Sequence, residues 1–328
     1  MSDSQARLVS IVIPVYYNEE NIPVTWLAVS EALAELPPEI DWEVIFVDDG
    51  SGDDSYERLL EIHQAAPRRV RIIKLTRNFG QVAAILAGFR HATGDCCVVM
   101  SADLQDPPEL IVEMVHCWEK GERKIVLATR ESREDGWLSR MGSRMFYELM
   151  RRYAIPNMPI GGFDFFLVDR VVVDIINEAD EKNSFLQGQV LWTGYDPVLI
   201  SYARRRREIG HSRWTISRKL KYLVDGFVSY TETPVRMITI LGLIVSMLSF
   251  GYALLILVLK LFWRLPVEGW APLMITVLML GGIQMVMLGV IGEYLWRNSH
   301  ESRRRPSFVI ESTVSSEASE QPLDERVR

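Results

Sequence analysis

The sequence predicts an α/β domain built on a mainly parallel sheet, followed by an amphipathic interfacial helix and a two-helix transmembrane hairpin. Three observations predict it. Short continuous apolar runs alternate with amphipathic stretches through the first 200 of 328 residues. Two long charge-free runs lie near the C-terminus. The densest cluster of cations stands between these two regions.

The strands come first. LVSIVIPV, EVIFVDD, VRIIKLT, DCCVVMSAD and KIVLATR are apolar along their whole length, as strands are when both sheet faces are covered. Helical patterns such as 81–92 and 108–120 separate them, and strand–helix alternation makes a layered α/β fold. Asp53 or Asp54 is placed to cap the helix after the second strand. Cys96, Cys97 and Cys117 are too few and too badly spaced for a disulfide framework, and read as apolar residues in a reducing compartment. The net charge of −7 argues against a nucleic-acid binder.

The runs 237–259 and 271–292 carry no charge. As helices they would reach about 33–35 Å, enough for a bilayer core of about 30 Å. The linker between them is short, so they form a hairpin. Arg236 before it and Arg297, Arg303, Arg304 and Arg305 after it put both chain ends in the cytoplasm. Trp263, Trp270, Tyr294 and Trp296 sit at interfacial depths. Gly242, Ser246, Ser249 and Ala253 share one face, and Gly282, Gly289 and Gly292 repeat the idea. Such faces permit close packing within the hairpin or between copies of a homo-oligomer. Gln284 is expected to hydrogen-bond between helices. The N-terminus lacks the pattern of a signal peptide, so residues 1–234 are expected in the cytosol. The expected organisation is an α/β domain over 1–210, amphipathic juxtamembrane helices over 211–234, two transmembrane helices within 235–297, and a tail over 298–328. The tail is expected to be disordered after Phe308.

Residues 204–221 hold eight cations and Glu208, a local +7 that leaves −14 for the rest. From Thr215 to Tyr230 the apolar residues fall at helical spacing, as in a helix lying in the membrane interface. Attraction to anionic lipid explains the charge; binding a reactant phosphate through 207–213 explains it too.

Ligands of open α/β sheets bind at the carboxyl ends of strands. Here those ends carry Pro14, Tyr16, Asn18 and Glu19; Asp48 and Asp49; Ser101, Ala102, Asp103, Gln105 and Asp106; and Arg130 and Arg133. Oxygen donors suit a hard cation such as Mg²⁺ or Mn²⁺, and arginines suit phosphate, so the set fits a metal-bound diphosphate. The glycine spacings of dinucleotide-binding and P-loop motifs are absent.

IVIPVYYNEENI, VIFVDDGSGDDS, RNFGQVAAILAGF and SADLQDPPELI together resemble family 2 glycosyltransferases of GT-A fold. With the hairpin they most resemble polyprenyl-phosphate glycosyltransferases, the dolichyl-phosphate-mannose-synthase-like group, in its GtrB-type branch that makes undecaprenyl-phosphate glucose. The resemblance covers about residues 8–300. It implies inverting transfer of a sugar, glucose in that branch, from a UDP-sugar to a polyprenyl phosphate at the cytosolic face of the inner membrane. It implies that Pro14, Tyr16 and Asp48 line the nucleotide pocket, that Asp103 and Gln105 hold Mg²⁺ or Mn²⁺, and that Arg130 lies near the reacting phosphates. RREIGHSRW resembles a family segment that meets the acceptor phosphate, matching Arg207, Gly210, Ser212 and Arg213. His211 contacts a phosphate or is merely solvated. Asp164 orients the sugar or is an ordinary loop or strand-end residue. Ser101 stands where many relatives have Asp, and Tyr17-Asn18 where Asn-Glu is common. Gln187, Gln189 and Trp192 do not reproduce the spacing of processive synthases, so one transfer per acceptor is expected. Other donors, such as GDP-mannose or a UDP-amino sugar, fit the same fold. A catalytically silent membrane scaffold is the reading from another class.

Overall fold

The computed structural model describes residues 7–121, 123–130, 147–148, 150–152, 155–159, 161–181, 185–203, 233–263, 269–303 and 305–316. The chain forms two units. One is Met1–Phe227 with Pro306–Arg328, and the other is Val228–Arg305.

In the first unit the elements run β1 (Arg7–Val15), α1 (Ile22–Leu33), β2 (Ile40–Asp48), α2 (Ser55–Ala65), β3 (Val70–Leu75), α3 (Gln81–His91), β4 (Cys96–Val99), α4 (Leu110–Glu119), β5 (Ile125–Arg130), β6 (Phe165–Asp169), α5 (Arg170–Ala179), α6 (Leu186–Trp192) and β7 (Val198–Tyr202), closing with β8 (Ile310–Val314). They build one eight-stranded sheet in the order β7-β5-β6-β4-β1-β2-β3-β8. Strands β1 to β4 are parallel, as are β5 and β7. Only β6 and β8 run against their neighbours.

Alternation along β1 explains the layers. Val9, Ile11, Ile13 and Val15 join Phe46, Ile72 and Val98 in a core with Val29 of α1, Leu59 of α2 and Met114 of α4. The intervening Val12 faces α3, where a Cβ at Gly88 would lie 2.3 Å from its Cγ1. Both faces are therefore covered, which is why the strands are apolar throughout. Cys96 and Cys97 are buried in β4, and burial pushes both thiols up, Cys97 to about 12. They behave as small core residues. Asp54 precedes α2 without a capping side-chain hydrogen bond, while the Asp53 carboxylate accepts from Ser55 N–H at 3.3 Å.

The expectation of a disordered tail after Phe308 is corrected over Ile310–Val314. These residues pair antiparallel with the edge strand β3. Lys74 bonds Glu311 at 3.1 Å, Tyr56 and Ser312 share a hydrogen bond of 3.2 Å, and Phe308 is buried under Arg90. A Ser- and Glu-rich strand is stable here because β3 supplies the ladder and only alternate residues need cover. The region from 317 lies outside the described residues.

The second unit holds α7 (Thr233–Trp263) and α8 (Trp270–Ser302), of 31 and 33 residues, each longer than its expected membrane run. Met279–Trp296 is long and apolar enough to cross a membrane, whereas Met237–Tyr252 is a shorter apolar stretch. Large apolar side chains such as Phe250 and Leu261 are exposed. Gly242 faces α8: a Cβ there would lie 3.2 Å from Met287 Cε. Gly282, Gly289 and Gly292 instead face open space, and Gln284 is exposed. The juxtamembrane segment 211–232 lies outside the described residues.

Candidate active site at the carboxyl edge of the sheet

The sheet order places the site. From β1 the chain steps outward to β2 and β3, then returns to lay β4 on the other side of β1. That reversal opens a crevice at the carboxyl ends of β1 and β4, where ligands of such sheets bind. Pro14, Tyr16 and Tyr17 end β1; Ser101, Asp103 and Gln105 follow β4. Because β6 runs antiparallel, Asp164 at its start reaches the same edge as Arg130 and Tyr202, which end β5 and β7 in register.

Local geometry is constrained on both sides of the crevice. Tyr17 and Leu104 are two of three non-glycine residues with positive φ among the described residues, at 54° and 52°. Such backbone tends to be kept at functional sites. Tyr17 N–H donates to Ser51 Oγ at 3.0 Å and Asn18 N–H to Ser55 Oγ at 2.9 Å. Thr25 of α1 donates to the Ala102 carbonyl at 2.9 Å, fixing the loop after β4. Gly50 has φ +67°, and any Cβ there would lie 2.5 Å from the Arg77 backbone.

The acidic residues divide by what they touch. Asp49 accepts from Phe79 N–H at 2.7 Å and Gly80 N–H at 2.9 Å, so it pins the 77–80 segment. Burial lifts its carboxyl to about 6, against those two hydrogen bonds. Glu19 accepts from Asp54 N–H at 3.0 Å and so serves the start of α2. Asp48 differs. It is fully buried, its Oδ1 takes Ser51 N–H at 3.2 Å, and its Oδ2 has no protein partner. Its carboxyl is raised chiefly by burial. A buried acceptor without a partner is costly unless a ligand completes it.

On the β4 side, Ser101 Oγ lies 2.9 Å from Asp103 Oδ1 and 3.1 Å from Asp106 Oδ2, and Gln105 N–H reaches Asp103 Oδ1 at 3.3 Å. Asp103, Ser101 and Gln105 are half-buried, while Asp106 is buried. The described residues contain no cluster of three or more His, Cys, Asp or Glu that could hold a metal. One carboxylate beside a hydroxyl does fit Mg²⁺ or Mn²⁺, since such ions complete their shell with water and substrate phosphates. The Asp103 and Gln105 side chains would hold it.

Arg130 Nη2 bonds Asp164 Oδ2 at 2.7 Å and also interacts with Tyr202. Burial disfavours its charge, but Asp164, Tyr202 and Asp106 outweigh burial and keep the guanidinium charged. Gln187 donates to Asp164 Oδ1 at 3.2 Å and to the Phe163 carbonyl, which supports Asp164 from behind. Tyr202 was not singled out by its sequence position. Ending a five-residue strand just before a run of arginines, it gives no hint that β7 pairs with β5. Arg133, Arg207, Gly210, His211, Ser212 and Arg213 lie outside the described residues. A cavity of about 320 Å³ lies at the opposite edge of the sheet, lined by Arg7, Trp118, Lys124 and Asp169. Arg7 there pairs with Glu119 and Lys124 with Asp169.

The family model for glycosyl transferase family 2 matches residues 10–176, which span β1 to α5. The chain belongs to that family. It is an enzyme, a glycosyltransferase, and its mixed sheet has the GT-A-like arrangement. The chain is 37% identical to the uncharacterized glycosyltransferase YkcC of Bacillus subtilis over 94% of both chains. It is 34% identical to the bactoprenol glucosyl transferase of Shigella phage SfV, over 93% of this chain and 98% of that one. Among solved structures it is similar to glucosyl-3-phosphoglycerate synthase of Mycobacterium tuberculosis in complex with Mn²⁺, UDP-glucose and phosphoglyceric acid. There the identity is 17%, the TM-score 0.45, and the coverage 67% of this chain and 77% of that one.

Proposed function

We propose that this glycosyltransferase moves glucose from UDP-glucose to a polyprenyl phosphate at the cytosolic face of the inner membrane. The observation that carries this reading is the near full-length likeness to a bactoprenol glucosyl transferase, joined to a crevice in which Asp103 and Arg130 share one sheet edge.

The acceptor phosphate is already anionic near neutral pH, its second pKa being about 6. Its oxygen attacks the anomeric carbon from the face opposite UDP. The new C–O bond forms as the bond to the β-phosphate breaks, the electron pair leaves with UDP, and the configuration inverts. No strong general base is required. The task left to the protein is to stabilise the leaving diphosphate. A divalent cation on Asp103 and Gln105 would neutralise part of its charge. Arg130, kept charged by Asp164, faces the same task without reorganising during the step. The unpartnered Asp48 Oδ2 accepts an N–H of the nucleotide base. Arg207, Ser212 and Arg213 bind the acceptor phosphate, and the surrounding cations hold the domain to anionic lipid.

Connectivity supports a hairpin. The first unit contains both the chain before α7 and strand β8 after α8. A chain that leaves a domain and returns to it crosses a membrane an even number of times. If Met279–Trp296 crosses, α7 crosses as well. Self-association through the open glycine face of α8 completes the proposal.

The test is lipid labelling. Full-length protein in detergent, undecaprenyl phosphate and Mg²⁺ or Mn²⁺ are offered radiolabelled UDP-glucose, GDP-mannose or UDP-N-acetylglucosamine. Label in the organic phase from UDP-glucose is expected. Label from another donor alone would change the sugar. Metal-independent labelling would remove the cation.

A further inference from the structure

One path of polar contacts joins the two halves of the crevice. Ser101 Oγ stands between Asp103 Oδ1 and Asp106 Oδ2. Asp106 Oδ1 accepts from Tyr202 O–H, and Tyr202 stands in register beside Arg130, which interacts with it and bonds Asp164. Asp106 is 1% exposed and Tyr202 6%, so neither has the exposure of a group that grips a substrate. Their elements are far apart in sequence. The loop after β4 supplies Asp106, and β7 supplies Tyr202.

We propose that Asp106 and Tyr202 are a positioning pair that holds Asp103, through Ser101, and Arg130 in one fixed arrangement. The proposal rests on the diphosphate reading of the site given above. The physical reason is the geometry of a buried carboxylate. Asp106 has two oxygens. One lies 3.1 Å from the Ser101 hydroxyl, which shares its single proton between Asp106 and Asp103, and the other accepts from the phenol beside Arg130, so turning the carboxylate disturbs both contacts. A hydroxyl donates its single proton to a carboxylate, whereas a third carboxylate would put like charge beside Asp103 and Asp106. The tyrosine ring is fixed separately, edge-on to Phe165 at 6.4 Å between centroids, so its hydroxyl can be removed without removing its packing.

The test compares full-length Tyr202→Phe, Asp106→Asn and the double variant with wild type. Three readouts are taken: kcat and donor KM for glucose transfer, Mn²⁺-dependent UDP binding, and the unfolding midpoint. Tyr202→Phe is expected to lower kcat about ten- to hundredfold with donor KM within roughly twofold, since only the Arg130 arm is released. Asp106→Asn releases both arms and is expected also to weaken UDP binding about fivefold or more. The double variant is expected to be no slower than Asp106→Asn, because the two residues act as one unit. A kcat within roughly twofold of wild type in Tyr202→Phe would overturn the proposal, as would losses that multiply in the double variant. If wild type transferred no sugar from any donor, the functional reading would fail separately. UDP binding would still decide the pair: weakened by Asp106→Asn if the proposal holds, unchanged if it does not.

Discussion

At the scale of single residues, burial and partners separate roles that look alike in sequence. Asp48 and Asp49 are neighbours at one strand end, yet Asp49 spends both oxygens on Phe79 and Gly80 while Asp48 keeps one unmatched. The raised carboxyl of Asp49, at about 6, makes a signed prediction. The folded state holds that proton more tightly than the unfolded chain, whose aspartates titrate near 3.9. This stabilisation is full below about pH 4, is lost as pH rises to about 6, and is flat above; it amounts to about 3 kcal/mol. Unfolding midpoints of wild type and Asp49→Asn across that range check it. The gap between the two proteins should change between pH 4 and 6 and stay constant from 6 to 8. A constant gap throughout would assign Asp49 an ordinary pKa. The acidic strand ends were legible from residue type alone, because polar residues that close apolar runs must face the sheet edge. Their division of labour was not, because it depends on the backbone N–H groups of the 77–80 segment, thirty residues away.

At the scale of elements, β1 to β5 were read correctly because their apolar composition carries the signal, whereas β6, FFLVD, is buried just as fully and was not read as a strand. Strand β8 escaped because IESTV alternates about a single ladder and carries little apolar character. Its cause is the unpaired edge of β3, a tertiary fact. The packing of α3 on β1 gives the sharpest test at this scale. Alanine is ordinarily better than glycine inside a helix by about 1 kcal/mol. Gly88→Ala should nevertheless destabilise by about 1–3 kcal/mol, because its methyl would meet Val12 Cγ1 at 2.3 Å in a closed core. Thermal unfolding measures this. An unchanged or raised midpoint would mean that α3 shifts freely on the sheet.

At the scale of the whole molecule, the chain returns to its own sheet after the apolar helices. The two charge-free runs made the apolar helices legible, and the structure extends both. The even-crossing argument makes a direct prediction. Single cysteines introduced at Thr313 and at Asn157 should be labelled from the same side of intact inverted vesicles, and one at Glu268, between the helices, from the other. Labelling of all three from one side would mean that α7 and α8 lie along the surface. The measurement closest to the central claim is transfer itself. With UDP-glucose, undecaprenyl phosphate and Mn²⁺, wild type should place label in the lipid phase. Asp103→Ala should abolish the label while the protein stays folded and membrane-bound. Near-normal labelling by Asp103→Ala would contradict the assignment of the diphosphate to the crevice between β1 and β4.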